Sequence, residues 1–268
     1  MSRMPDPAIY THGHDESVLR SHRWRTAANS AAYLLPLLRP GLRLLDVGCG
    51  PATVTVDLAR SVAPGLVVAV DRVEGVLSEV RGPGAGTAVA FGAADVYELP
   101  FGPGAFDVVH AHQVLQHLND PVVALREMGR VARPDGVVAA RDSDYDAMTW
   151  HPADPLLDRW LELYRSVARA NGGEPDAGRY LRSWALQAGF SQVASSASAW
   201  CYAEPDERQW WGGLWADRVT RTSLGHRSVE LGLASVAELD EMAAAWRRWA
   251  AAPDGWFAVL HGEIICRL

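Results

Sequence analysis

The segment that most restricts the fold is Leu45-Asp46-Val47-Gly48-Cys49-Gly50-Pro51-Ala52, an apolar run ending in a glycine-punctuated turn that leads into a helical pattern through about Arg60. Glycines at 48 and 50 allow a tight turn and let a ligand lie against bare backbone, while a helix N-terminus offers unpaired N–H groups. Asp71 closes the next apolar run, 21 residues after Gly50, where a carboxylate can accept both hydroxyls of an adenosine ribose. Glycines alone could serve only to redirect the chain. With an acidic partner in register they indicate a nucleotide-type site. The third place of a dinucleotide fingerprint is Thr53, not glycine, which weighs against a nicotinamide cofactor.

From residue 41, short β-branched runs alternate with amphipathic stretches, the pattern of a parallel sheet with crossover helices. The expected strands are 42–47, 66–71, 87–92, 106–111 and 136–142. Asn119-Asp120-Pro121 supplies a cap and a first-turn proline for a helix through Arg133, and Pro134-Asp135-Gly136 breaks it. Beyond Tyr145 the chain turns to tryptophan-bearing helical patterns over 153–188 and 205–252, separated by a strand at 192–202 and closed by a final strand, WFAVLHGEIICRL. No internal repeat or low-complexity linker divides it. The organisation expected is an N-terminal helical lid (1–40), a cofactor-binding core (41–145), and the remainder of the sheet (146–268) with helical cap insertions.

Composition narrows the function. With 49% hydrophobic and 21% charged residues in 268, one large domain is expected, and a net charge of −7 leaves no basic footprint for nucleic acid. All 25 basic residues of the Lys+Arg class are arginine, so a lysine nucleophile, a pyridoxal Schiff base and a P-loop lysine are excluded. The absence of a signal-like leader or a membrane-length apolar run suggests a soluble cytoplasmic protein. Cys49, Cys201 and Cys266 show neither disulfide nor metal spacing.

LLDVGCGPATVTVDLA resembles the first motif of class I S-adenosylmethionine-dependent methyltransferases, and residues 41–145 resemble the UbiE-like branch. The resemblance implies an α/β, Rossmann-like, seven-stranded and mostly parallel sheet with helices on both faces, a helical cap and an antiparallel last strand. It implies that Gly48 and Gly50 hold the methionine part of S-adenosylmethionine, Asp71 the ribose, and Asp95 in Gly92-Ala93-Ala94-Asp95 the adenine. Asp46, Arg72, Ala94, Val96, Ala111 and Gln113 flank these positions as cofactor-binding candidates. Tyr10 and Arg23 join them through the N-terminal segment, which in such methyltransferases folds over the cofactor, with Trp24 beside them and His14 as an acceptor contact; surface-helix residues would show the same pattern. The family usually carries a third glycine where this chain has Ala52; Ala52 is expected to open the helix, since left-handed backbone there would cost about 1 kcal/mol.

Methyl transfer needs a nucleophile held in line with the methyl–sulfur bond and sometimes a base, so no metal is required. Ligands of open α/β sheets collect beyond the carboxyl ends of the strands. That rule selects His112, Asp144 and Tyr145 as catalytic candidates and Asp142 as an acceptor contact, with a solvated loop as the alternative for 142–145; the resemblance adds His117, for which a structural role is the alternative. The histidine-rich stretch His110 to His117 lacks further spaced ligands, and no metal site is expected. Trp210, Trp211 and Trp215 lie in the insertion between the last two strands, which emerges on the ligand side if the sixth strand is parallel; they are expected to roof a cavity for an apolar or planar small-molecule acceptor, or else simply to pack the insertion. The rivals are a nicotinamide-dependent oxidoreductase and a non-catalytic S-adenosylmethionine-binding protein. Secondary metabolism is the expected setting, and the acceptor, its reacting atom and the oligomeric state stay open.

Overall fold

Leu44–Val47 is wholly buried and forms the central strand, β1, of a computed structural model that describes residues 24–73 and 89–268. Ahead of it lies α1 (Ala27–Ser30), capped by Thr26. Next come α2 (Thr53–Val62), β2 (Val67–Asp71), β3 (Val89–Ala93), β4 (Phe106–His112), α3 (Pro121–Val131) and β5 (Ala132–Ser143). The strand order is β3-β2-β1-β4-β5, all parallel. This is the expected parallel sheet, with strand bounds within a few residues of those read from the sequence. Asp120 caps α3 by accepting from the Val123 N–H at 3.0 Å, with Pro121 in the first turn, as expected. The Pro134-Asp135-Gly136 break lies inside β5, not ahead of it: Phe106 pairs with Ala132 and Val108 with Val137, so residues 133–136 bulge opposite Asp107, which Arg133 holds at 2.7 Å.

The second half adds β6 (Thr149–His151), α4 (Pro155–Ala170), α5 (Leu181–Ala188), β7 (Gln192–Tyr202), α6 (Pro205–Arg221), α7 (Ser223–Glu230), α8 (Val236–Ala251) and β8 (Trp256–Arg267). β8 runs antiparallel to β5 along one edge and to β7 along the other. β7 is therefore parallel to the first five strands, and the insertion after it emerges at their carboxyl end. The sheet has eight strands, not seven, because β6 continues the line of β5 and pairs with the first residues of β8. A three-residue strand carries too few alternations to be read from a sequence.

Strand alternation divides the core. Leu44, Val108, Val137 and Ala139 pack against α1 and α2, while Leu45, Val109, Val138 and Ile264 pack against α3 and α5. Helices thus cover both faces. A third cluster forms the cap, where Trp160 of α4, Trp215 of α6 and Trp246 of α8 are fully buried with Phe257 of β8. No helix among the described residues is long and apolar enough to cross a membrane.

Candidate active site

The turn after β1 is shaped by backbone that only glycine adopts easily. Gly48 has φ +67° and Gly50 φ +51°, and the N–H groups of Gly48 and Cys49 both donate to the Val70 carbonyl, at 2.8 and 3.1 Å. A Cβ on Gly48 would collide with Val114 Cγ2. Ala52 corrects the expectation that it opens the helix: it sits left-handed at φ 60°, ψ 22°, one residue ahead of α2. The turn thus has its third left-handed position without a third glycine, at a cost of about 1 kcal/mol. Gly48→Ala should lower stability by at least about 2 kcal/mol, combining left-handed strain with overpacking against Val114, and should weaken cofactor binding with it. Thermal unfolding and calorimetry on the variant check both; unchanged values would show that the turn tolerates a side chain.

The acidic partners are fixed by hydrogen bonds. Asp71 Oδ2 accepts from the Gly50 N–H at 2.9 Å and Oδ1 from the Val73 N–H at 3.0 Å, so its carboxylate braces the turn. Asp95 Oδ1 accepts from the Tyr97 N–H at 3.0 Å. Asp46 lines the cavity but has both oxygens engaged, accepting from Thr55 Oγ1–H at 2.5 Å and pairing with His110 Nδ1 at 2.8 Å. Its task is to tie α2 and β4 to β1.

One cavity of about 470 Å³ opens at the carboxyl end of the strands. Of the cofactor-binding candidates, Asp46, Gly48, Gly50, Asp71, Arg72, Ala94, Asp95, Val96 and Gln113 all line it. Ala111 does not: its side chain is buried in the sheet core against α3. Tyr10, His14 and Arg23 lie outside the described residues. The cavity continues past Gln113 and His112 to a wall built by Trp24, Trp200, Tyr202, Trp210 and Trp211. Trp24 packs edge-on to Trp200 at 5.3 Å and tilted against Tyr202 and Trp210, each at 5.6 Å.

Several acceptor-side expectations need correction. Trp215 lies outside the cavity, stacked on Trp246 at 6.0 Å and edge-on to Trp160 at 4.5 Å, so it packs the cap. Asp144 is held by Arg179 through two 2.7 Å hydrogen bonds and does not line the cavity. Asp142 is fully buried beneath it; Oδ1 accepts from the Gln116 N–H at 3.1 Å, and desolvation pushes its carboxyl up to about 7. Tyr145 does line the cavity, its ring stacked 4.0 Å from Tyr164. His112 and His117 both face the cavity, and burial holds both imidazoles neutral, His117 down to about 3.

Hydrogen bonding separates the two histidines. Gln116 Oε1 accepts from the Ser143 N–H and hydroxyl, so its amide NH2 faces His117 Nε2 at 3.0 Å and donates to it. The same logic runs through Gln113, whose Oε1 accepts from Arg25 at 2.6 Å and whose Nε2 donates to His261 Nε2 at 2.9 Å. His112 has no partner on either ring nitrogen.

Sequence reading missed Arg25, Trp200, Tyr202 and Arg218. Trp200 and Tyr202 alternate onto one face at the carboxyl end of a strand whose bounds were read correctly, and Arg218 follows Trp211 and Trp215 along one face of α6. Those spacings were available; their direction toward the cavity was not.

The glycine turn, the acidic pair and an adjoining aromatic wall at the switch point of a parallel sheet with an antiparallel final strand define a Rossmann-like, S-adenosylmethionine-dependent methyltransferase. The methyltransferase domain family matches residues 45–140. An uncharacterized methyltransferase of Schizosaccharomyces pombe is 34% identical over 99% of this chain and 98% of its own length. A demethylmenaquinone methyltransferase of Roseiflexus castenholzii is 35% identical over 59% of this chain and 64% of its own. Among solved structures, a phosphoethanolamine N-methyltransferase of Haemonchus contortus superposes with TM-score 0.56 at 15% identity, over 94% of this chain and 57% of that one. The [4+2]-cyclase SpnF superposes with TM-score 0.51 at 20% identity, over 96% and 88%; both show likeness of fold alone. The chain belongs to the methyltransferase family, and its methyl donor is S-adenosylmethionine.

Proposed function

We propose that the protein moves the methyl group of S-adenosylmethionine to a small, largely planar acceptor held against the tryptophan wall. The observation that carries this reading is the continuity of one cavity from Gly48, Gly50, Asp71 and Asp95 to Trp24, Trp200, Tyr202 and Trp210. The residues present fit the cofactor: a turn whose Gly48 and Gly50 carry no side chain, a carboxylate at the end of β2 for the ribose, and Asp95 beyond β3 for the adenine edge. When bound, the cofactor supplies an electrophilic methyl group on a sulfonium. The chain's own residues orient the two reactants and exclude water, which is the larger part of catalysis in a displacement at carbon.

Similarity to demethylmenaquinone methyltransferases over part of the chain supports a UbiE-like core. The tryptophan cap is then the part that sets the acceptor. A second reading has the site bind the cofactor without transferring its methyl. Calorimetry comparing S-adenosylhomocysteine with NAD, followed by transfer of labelled methyl to an acceptor panel, tests these readings. Tight binding of the former with labelled product is expected. Preference for NAD would sink the proposal, and binding without product would favour the second reading. Among the described residues no three His, Cys, Asp or Glu side chains are placed to hold a metal, so transfer should survive exhaustive chelation. Loss with EDTA, restored by a divalent ion, would contradict that.

A further inference from the structure

The cavity is divided by charge as well as by shape. At its cofactor end stand Asp46, Asp71 and Asp95, with Arg72 the one cation among the described lining residues there. Cys49, in the turn between them, has its thiol pushed up by burial and then by the Asp46 and Asp71 carboxylates. At the other end no carboxylate lines the cavity among the described residues, and the tryptophan wall carries two guanidinium groups, Arg25 and Arg218.

Arg25 holds the wall together: it donates to Gln113 Oε1 at 2.6 Å and lies over the Trp200 ring at 5.6 Å. Arg218 is placed differently. It follows Trp211 by seven residues, two turns along the same face of α6, and is 4% exposed. Its guanidinium lies 5.0 Å over the Trp215 ring, and the side chain lines the cavity.

The carboxylates around this end answer other groups. Glu263 faces Arg141 at 3.3 Å, Asp144 is clamped by Arg179, and Asp217 pairs with Arg221 at 3.4 Å. Asp142, beneath the floor, is pushed by desolvation up to about 7. Burial holds the Tyr202 hydroxyl up, and among the described charges Arg25, Arg218 and Arg141 act against that rise, with Glu207 the weakest term on the other side. The wall therefore sits in a positive potential.

We propose that the acceptor is an anion, a flat ring system carrying a carboxylate, and that Arg218 receives that carboxylate. This names the acceptor class for the methyl-transfer reading and rests on it. A carboxylate leaves water only for a charged partner, and a guanidinium offers parallel N–H groups to both of its oxygens. Trp210 and Trp211 precede Arg218 along α6, so one helix supplies both the aromatic surface and the cation. A cationic amine would meet Arg25 and Arg218 on its own side of the cavity, and like charges brought together there repel it.

The test uses the full chain. Calorimetry first measures S-adenosylhomocysteine binding; its absence would sink the methyl-transfer reading itself. The loaded protein is then titrated with 2-naphthoate and with 2-naphthamide, which has nearly the same shape and no charge. At least tenfold tighter binding of the naphthoate is expected, and equal affinities, weak binding of both included, would overturn the proposal. Arg218→Gln, checked by melting temperature and S-adenosylhomocysteine affinity, should lose that preference: naphthoate affinity falls tenfold or more, and naphthamide affinity stays within about threefold. A folded Arg218→Gln that keeps the wild-type preference would remove Arg218 as the carboxylate's partner. Because the wild-type comparison needs no variant, an unfolded Arg218→Gln leaves the proposal falsifiable.

Discussion

Truncating Trp215 to alanine is expected to unfold the cap and spare the cofactor site. The side chain is fully buried and touches Trp160, Trp246, Trp211, Tyr145 and Tyr164, so its loss opens a cavity at the junction of α4, α6 and α8. Aromatic-to-alanine changes in such cores cost about 3–5 kcal/mol. In a chain of this size that corresponds to a fall in melting temperature on the order of 10 °C. Trp210 provides the contrast. It is half-buried, lines the cavity and packs on Trp24 and Tyr202, so Trp210→Ala should lose much less stability and should raise the Michaelis constant for the acceptor several-fold. Cofactor affinity should hold in both, because Gly48, Gly50, Asp71 and Asp95 stand on elements other than the cap helices. Equal destabilisation by the two variants, or an acceptor defect confined to Trp215→Ala, would reverse the assignment of the two tryptophans.

Asp71→Ala should weaken S-adenosylhomocysteine binding about 10- to 150-fold, which corresponds to about 1.5–3 kcal/mol for losing a charged acceptor to a ribose diol. The structure adds a second reason for a large effect. The same carboxylate accepts the Gly50 and Val73 N–H groups, so alanine also releases the glycine turn proposed to hold the methionine part of the cofactor. The loss should exceed that of Arg72→Ala, whose side chain lines the cavity from the next position and receives none of these backbone hydrogen bonds in Asp71's place. Calorimetry decides the matter: unaltered affinity in Asp71→Ala, with the protein folded, would remove this residue from the site.

How far the sequence could be read follows the range of the interactions concerned. The glycine turn, Asp71, the capped helix at 121–131 and the strand at 192–202 rest on local signals: steric freedom at a few residues, side-chain capping, and alternation along one strand. Ala52 shows the limit of such signals. Its left-handed backbone is imposed by the turn closing onto β2 and by α2 beginning at Thr53, and a local preference worth about 1 kcal/mol does not outweigh that.

The acceptor side was legible only as a set of residue types. Asp144 and Tyr145 were rightly placed beyond the fifth strand, whereas Asp142 falls within it; Asp142 is buried beneath the cavity, Asp144 is clamped by Arg179, and only the tyrosine faces the cavity. Trp211 and Trp215 sit one helical turn apart, and that spacing separates cavity wall from cap core. His112 and His117 differ in their partners, Gln116 being fixed by Ser143 from a strand 27 residues away. The amino-acid sequence by itself determined the five parallel strands, the glycine turn and the family, because those depend on periodicity and on backbone conformations that glycine adopts readily. Which side chains line the cavity was decided by tertiary structure, because burial and hydrogen-bond partners across the sheet are set by the packing of elements far apart in the chain.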